Sequence, residues 1–224
     1  MPANLLSRRV AVAALPLVLT SCITPREQIA PAPFTTDKQR IVPPQVAALY
    51  AAMPHERFPI PEVDFDDVDP SVLRRIVDDP TGEAPGTLVV DTRARALFLV
   101  MENAQALRYG VGVGKEGLAW QGRAVIARKA EWPRWTPTKD MITREPEKNA
   151  KWASGMEPGL DNPLGARALY LYRDNRDTLY RIHGTNDPSS IGTAVSSGCI
   201  RLINQDIIDL YNRVPEGSKV LVRQ

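Results

Sequence analysis

From residue 87 onward the chain is cut into short apolar runs, at 87–91, 96–101, 107–113, 124–128, 168–172, 178–182 and 219–222. Runs this short, bounded by turn-forming residues, read as strands and not as helices. Glu102, Asn103 and Ala104 form the turn between the second and third of them. Short strands at this spacing predict a mainly β domain, a sandwich or barrel of about 140 residues over 86–224, enough for one core. One segment departs from the pattern. Over 204–213, Ile207, Ile208, Leu210 and Tyr211 supply burial, Asn204 is placed to cap, and Asp206 suits the positive end of a helix. No internal repeat is visible.

The chemistry-bearing residues gather in the second half. Arg181-Ile182-His183-Gly184-Thr185 is followed by Ser196-Ser197-Gly198-Cys199-Ile200-Arg201-Leu202, and no other histidine or cysteine lies beyond Met101. An imidazole can take the proton of a neighbouring thiol and leave a nucleophilic thiolate. His183 falls at a predicted strand end, Gly184 permits a sharp turn, and Asn186, Asp187, Pro188 and Gly192 return the chain as a loop. Amides near Gly198 and Cys199 could donate to an oxyanion. On spacing alone two readings stay open, because an isolated cysteine is commonly a small buried hydrophobe and an isolated histidine a satisfied structural residue.

His-Gly-Thr followed by Ser-Ser-Gly-Cys-Ile-Arg-Leu resembles the active-site signature of the L,D-transpeptidase (YkuD) family. Further matches are Gly110-Val111-Gly112-Val113-Gly114, the stretch from Trp132 to Thr138, the stretch from Asn162 to Leu169, and Val214-Pro215-Glu216-Gly217. The likeness runs from about Gly86 to the end. It implies Cys199 as nucleophile, His183 as general base, the Gly184 carbonyl as the group orienting the base, and the backbone around Ser197, Gly198 and Cys199 as oxyanion hole. Ser197 stands where the family usually has histidine, Arg201 where it often has asparagine, and Ala119-Trp120-Gln121-Gly122 where it tends to have Thr-Pro-x-Gly.

The resemblance implies attack on the L,D bond of a peptidoglycan tetrapeptide stem, loss of D-alanine, and transfer of the acyl group to an amine to give 3→3 cross-links. Water as acceptor would make an L,D-carboxypeptidase, and a further variant attaches or releases a wall-linked protein. A non-catalytic wall-binding lipoprotein is the reading from another class. Candidate substrate contacts are Arg201, whose planar fork suits carboxylates, with Thr185, Ser196 and Trp135. An ion pair is the competing role for Arg201. Trp132, Trp135 and Trp152 lie in a connection over 131–164 that is long enough for a lid, although core packing would equally explain them. No cofactor or metal is expected.

Residues 1–22 have the form of a secretory signal: Arg8-Arg9, then an apolar run too short to span a bilayer. Leu19-Thr20-Ser21-Cys22 resembles a bacterial lipobox, which would place a lipid on Cys22 and anchor the protein to a membrane. The alternative is an ordinary cleavage site. Ser7-Arg8-Arg9 also resembles a twin-arginine signal, with Ala11 where an aromatic is expected. Export to the bacterial periplasm or envelope would leave Cys199 as the one remaining thiol, which favours a use for its reactivity. Residues 23–44 read as a proline-rich tether.

An N-terminal helical segment is expected over 45–85, either packed on the main domain or standing as an appendage. Val46, Leu49, Tyr50 and Met53 share one helical face, and a second helix starts at the Asp69 cap with Pro70 in its first turn. Removing residues 1–22 takes away two of the 28 basic side chains and none of the 26 acidic ones, so the mature chain is formally neutral. No basic run suggests nucleic acid. The oligomeric state is left open by the sequence.

Overall fold

Eleven strands make one sheet in the computed structural model, which describes residues 42–114, 120–195 and 199–224, except the side chains of residues 194 and 195. They are β1 (Arg75–Asp78), β2 (Leu88–Asp91), β3 (Ala96–Val100), β4 (Gln105–Gly110), β5 (Gly112–Gly114), β6 (Gly122–Glu131), β7 (Arg167–Arg173), β8 (Arg176–His183), β9 (Ala194–Val195), β10 (Ile200–Arg201) and β11 (Lys219–Arg223). The expectations for the export signal, Cys22, the tether up to residue 41, Ser196, Ser197 and Gly198 lie outside the described residues.

The strand order is β1-β4-β3-β2-β11-β6-β7-β8-β10-β5-β9. Only Val111 separates β4 from β5. β4 pairs with β3 and β1, whereas β5 pairs with β10 and β9, so one continuous stretch joins the two ends of the sheet and gives a barrel-like closure. A Cβ on Gly110 would collide with Val72, so the chain passes this point only with glycine. Asn103 and Ala104, and then Asp174 and Asn175, take positive φ at the β3–β4 and β7–β8 turns, as tight hairpins require.

Leu88, Leu97, Ile126, Leu169 and Ile182 are fully buried inside this curve. Helix α4 (Asn204–Arg213) lays Ile207 and Leu210 into the same cluster. The Lys129 ammonium donates to the Tyr211 and Val214 carbonyls, each at 2.7 Å, and so satisfies the end of that helix.

The strand reading holds, and so does the helix over 204–213, but the capping residue does not. Ile203 is the N-cap and makes no side-chain cap. The Asn204 side chain instead accepts from the Ala166 amide and donates to the Thr185 carbonyl, each at 2.9 Å.

The N-terminal helical segment is corrected as well. α1 (Pro44–Ala47) and a 3₁₀ turn at Ala48–Tyr50 are all that form of the first helix. At the second, Asp69 does cap, accepting from the Ser71 amide at 2.8 Å, yet the turn stops at Val72 and the chain becomes β1. Ile76 and Val77 pair with β4 there, a tertiary contact that overrides the helical stripe. The segment packs on the barrel and is no appendage, for Gln39–Gln224 form one compact unit. The connection after β6 is also less bare than expected: it contains α2 (Lys139–Arg144), α3 (Pro146–Asn149) and a 3₁₀ turn at Ala150–Trp152.

Tyr50 pins the N-terminal segment to α4. Its hydroxyl donates to Asp206 Oδ2 at 3.1 Å and accepts from the Arg74 amide at 2.6 Å. The Arg74 guanidinium lies 3.8 Å from Asp206 and 3.1 Å from Asp209. Burial pushes the Asp206 carboxyl up to about 7, with Asp209 adding to the rise and Arg74 and Tyr50 opposing it. Desolvation therefore outweighs the ion pair. A carboxyl raised in the folded state gives stability at low pH that is lost as pH rises toward 7. The destabilisation caused by Asp206→Asn, measured by urea unfolding, should therefore shrink between pH 5 and pH 8. A penalty independent of pH would contradict the assignment.

Candidate active site

β8 and β10 run parallel, with Ile182 opposite Ile200 and His183 opposite Arg201. Ile182 and Ile200 are buried in the core. Side chains alternate along a strand, so His183 and Arg201 take the other face, and Arg181 and Cys199 take it with them. The register puts the Cα atoms of His183 and Cys199 about 8 Å apart, from one strand spacing and two residues of rise. The two sequence candidates for nucleophile and base thus share one face, His183 as the last residue of β8 and Cys199 immediately before β10.

His183 is 5% exposed and is the last residue of β8. Its Nδ1 lies 2.6 Å from the Gly184 carbonyl. A carbonyl can only accept, so the neutral ring carries its proton on Nδ1 and presents Nε2 as a base. Burial lowers its pKa to about 4, and the Arg201 and Arg181 guanidiniums lower it further against the Gly184 hydrogen bond. The imidazole is neutral at pH 7.

Gly184 has a different reason for being glycine than the expected turn. A Cβ there would strike Asn204 Oδ1. Asn204 ties the loop after His183 to the start of β7, and the Leu202 amide donates to the His183 carbonyl at 2.8 Å. These three bonds fix the backbone on which the imidazole and its carbonyl partner are mounted. Sequence reading missed Asn204 in this role because an asparagine before an apolar helix has the form of a cap.

Leu179 was also missed. It sits at a bulge in β8 with φ of 63° and a 68% exposed side chain. Its amide donates to Asp177 Oδ1 at 2.8 Å, and the Thr178 hydroxyl donates to the Leu171 carbonyl at 2.6 Å. These bonds hold a left-handed conformation that costs a leucine about 1–2 kcal/mol. The bulge turns the Leu179 carbonyl toward the nucleophile, and the Cys199 thiol donates to it at 3.6 Å. Asp177-Thr178, polar residues able to bond their own backbone, were the available signal.

Arg201 is partly buried, and its Nε and Nη2 have no hydrogen-bond partner among the described residues. Burial lowers its pKa while Asp187 raises it. Thr185 is buried, its hydroxyl accepting from the Asp187 amide at 3.0 Å within a turn. Trp135 is half-buried and bridged to Met156 by two backbone hydrogen bonds. Trp132 is a core residue, 3% exposed, packed with Ile60, Ala166 and Ile208 and bonded to Glu56. Cavities of about 270 and 410 Å³ lie elsewhere, and neither is lined by His183 or Cys199. No group of metal ligands occurs among the described residues.

With a thiol and an oriented imidazole on one face of a barrel-like sheet, the chain has the outline of an acyl-transfer enzyme. The family model of the L,D-transpeptidase catalytic domain, YkuD, matches residues 85–222, and the chain belongs to that family. A putative L,D-transpeptidase of Fuscovulum blasticum is 39% identical over 137 residues, which are 60% of this chain and 68% of that protein. The probable L,D-transpeptidase ErfK/SrfK of Escherichia coli is 38% identical over 138 residues, spanning 60% of this chain but 43% of that protein. A solved structure from Brucella melitensis, described as a probable carnitine operon oxidoreductase, is 49% identical with a TM-score of 0.49 over 70% of this chain and 96% of that one. At that score it adds nothing to the assignment.

In an NMR titration, His183 should protonate with a midpoint near 4. Arg201→Gln, which removes a facing cation, should move the midpoint upward. A His183 midpoint at the ordinary histidine value would contradict the burial argument.

Proposed function

We propose that the protein is a cysteine acyltransferase of peptidoglycan, an L,D-transpeptidase acting on stem peptides. The observation that carries this reading is the shared face of Cys199 and His183, with the imidazole neutral and aimed by the Gly184 carbonyl.

His183 Nε2 takes the thiol proton, and the Cys199 sulfur attacks the carbonyl of the third stem residue. The Arg181 and Arg201 cations favour a thiolate at this position. Backbone amides around Ser197, Gly198 and Cys199 hold the oxyanion. The carbon–nitrogen bond to D-alanine then breaks, the imidazolium returns its proton to the departing amine, and a thioester remains. An amine from a neighbouring stem attacks the thioester after giving a proton to His183. The thiol is regenerated and a 3→3 cross-link forms. Water in place of the amine would give an L,D-carboxypeptidase with the same first half-reaction.

Arg201 is the natural socket for a stem carboxylate, since two of its buried nitrogens lack a partner among the described residues. Thr185, Ser196 and Trp135 complete the proposed substrate contacts, Thr185 through the turn it builds. Export to the bacterial envelope, with a lipid on Cys22, belongs to the same proposal and rests on the sequence of the first 22 residues. No helix among the described residues is long and apolar enough to cross a membrane.

Mass spectrometry of the mature protein incubated with a disaccharide-tetrapeptide tests the reaction. A mass increase on Cys199 with cross-linked dimer is expected, whereas an adduct with tripeptide alone would identify water as acceptor. Cys199→Ala and His183→Ala should each lower turnover at least a thousandfold while the domain stays folded. Wild-type levels of product from either variant would end the proposal.

A further inference from the structure

The register extends the row that contains Cys199 across three more strands. Arg128 of β6 is paired with Tyr170 of β7, and Tyr170 with Arg181 of β8. Ile182 is paired with Ile200, so Arg181 lies level with Cys199. Arg128, Tyr170, Arg181 and Cys199 therefore cross the sheet side by side. They occupy the face opposite the buried row Leu169, Ile182 and Ile200.

The Tyr170 ring is a platform for both guanidiniums, with Arg128 at 4.3 Å and Arg181 at 4.4 Å from its centroid. The two cations differ in their commitments. Arg181 is held in a two-point ion pair by Asp177, both contacts at 2.7 Å, and it also donates to the Tyr180 carbonyl. Arg128 is exposed, and among the described residues its side chain has neither a hydrogen bond nor a carboxylate within 4.0 Å, although its backbone is paired in the β6–β7 ladder. The row thus carries two guanidiniums against the single Asp177 carboxylate, which contacts Arg181 and only feels the charge of Arg128 from a distance.

Adjacent strands are about 4.8 Å apart, so the ring beneath Arg128 lies about 10 Å from Cys199, a span covered by about one residue of extended peptide together with an acidic side chain on the residue before it. From this, resting on the transpeptidase reading, the geometry points to Arg128 as a specificity residue. Its guanidinium binds a carboxylate on the donor peptide, on the residue before the one whose carbonyl Cys199 attacks. Tyr170 holds the fork in place, and Asp177 withdraws Arg181 from competing for the same anion.

The test follows acyl-enzyme formation by mass spectrometry with no acceptor present, which isolates the donor. Two synthetic tetrapeptide stems are compared, identical except for a carboxylate or a carboxamide at the second residue. Wild-type protein should acylate the carboxylate stem about fivefold faster in kcat/KM, the size expected of an exposed two-point ion pair. Arg128→Gln should remove that preference by raising KM for the carboxylate stem, with an unchanged melting temperature. Arg128→Lys should keep only part of it. Equal acylation of both stems by wild-type protein would overturn this inference alone, as would an undiminished preference, or an equal loss on both stems, in Arg128→Gln. Absence of a Cys199 adduct from either stem would overturn the transpeptidase reading, and this inference with it.

Discussion

The parallel pairing of β8 with β10 is the constraint on which the site depends. Burying Ile182 and Ile200 contributes about 1.5–3 kcal/mol for each side chain, and alternation then forces the neighbouring residues to the opposite face. His183, Arg201, Arg181 and Cys199 thus acquire their common side from a hydrophobic contact between two isoleucines that take no part in the chemistry. The electrostatics follow from the same placement. Burial, helped by two nearby guanidiniums, keeps the imidazole uncharged, as a base must be before it can act.

Around that pair the remaining elements serve as supports. α4 fills the barrel with Ile207 and Leu210, and its first residue, Asn204, reaches across to the backbone that carries His183 and Gly184. The helix is held in turn by Lys129 at its end and by Tyr50 and Arg74 near its start. The N-terminal segment is therefore part of the scaffold of the site, although it precedes the residues that match the family.

The parts legible in the sequence were those set by local pattern. Seven strands could be placed because short apolar runs and the turn residues bounding them agree, and the helix over 204–213 because its apolar stripe is uninterrupted. β1 was not legible: the Asp69 cap and the Pro70 turn are real, and only pairing with β4 decides that the chain leaves the helix after Val72. β10 is two residues long, too short for any periodicity to register. The motif around His183 and Cys199 marked the chemical groups, but Leu179 reaches Cys199 through a bulge, and Asn204 braces the backbone beside His183 through bonds distant in sequence. No one-dimensional pattern encodes such contacts.

The alternation of β10 separates two kinds of length change. Between Gly184 and Val195 the chain is largely turn and loop, so a residue gained or lost there alters the excursion and leaves the thiol on its side of the sheet. A residue gained between Cys199 and Ile200 would instead shift the nucleophile by one position against a strand whose pairing is fixed by burial, and direct it toward the hydrophobic interior. What the fold holds constant is the parity of the cysteine relative to Ile200, and the number of residues separating it from the histidine is secondary.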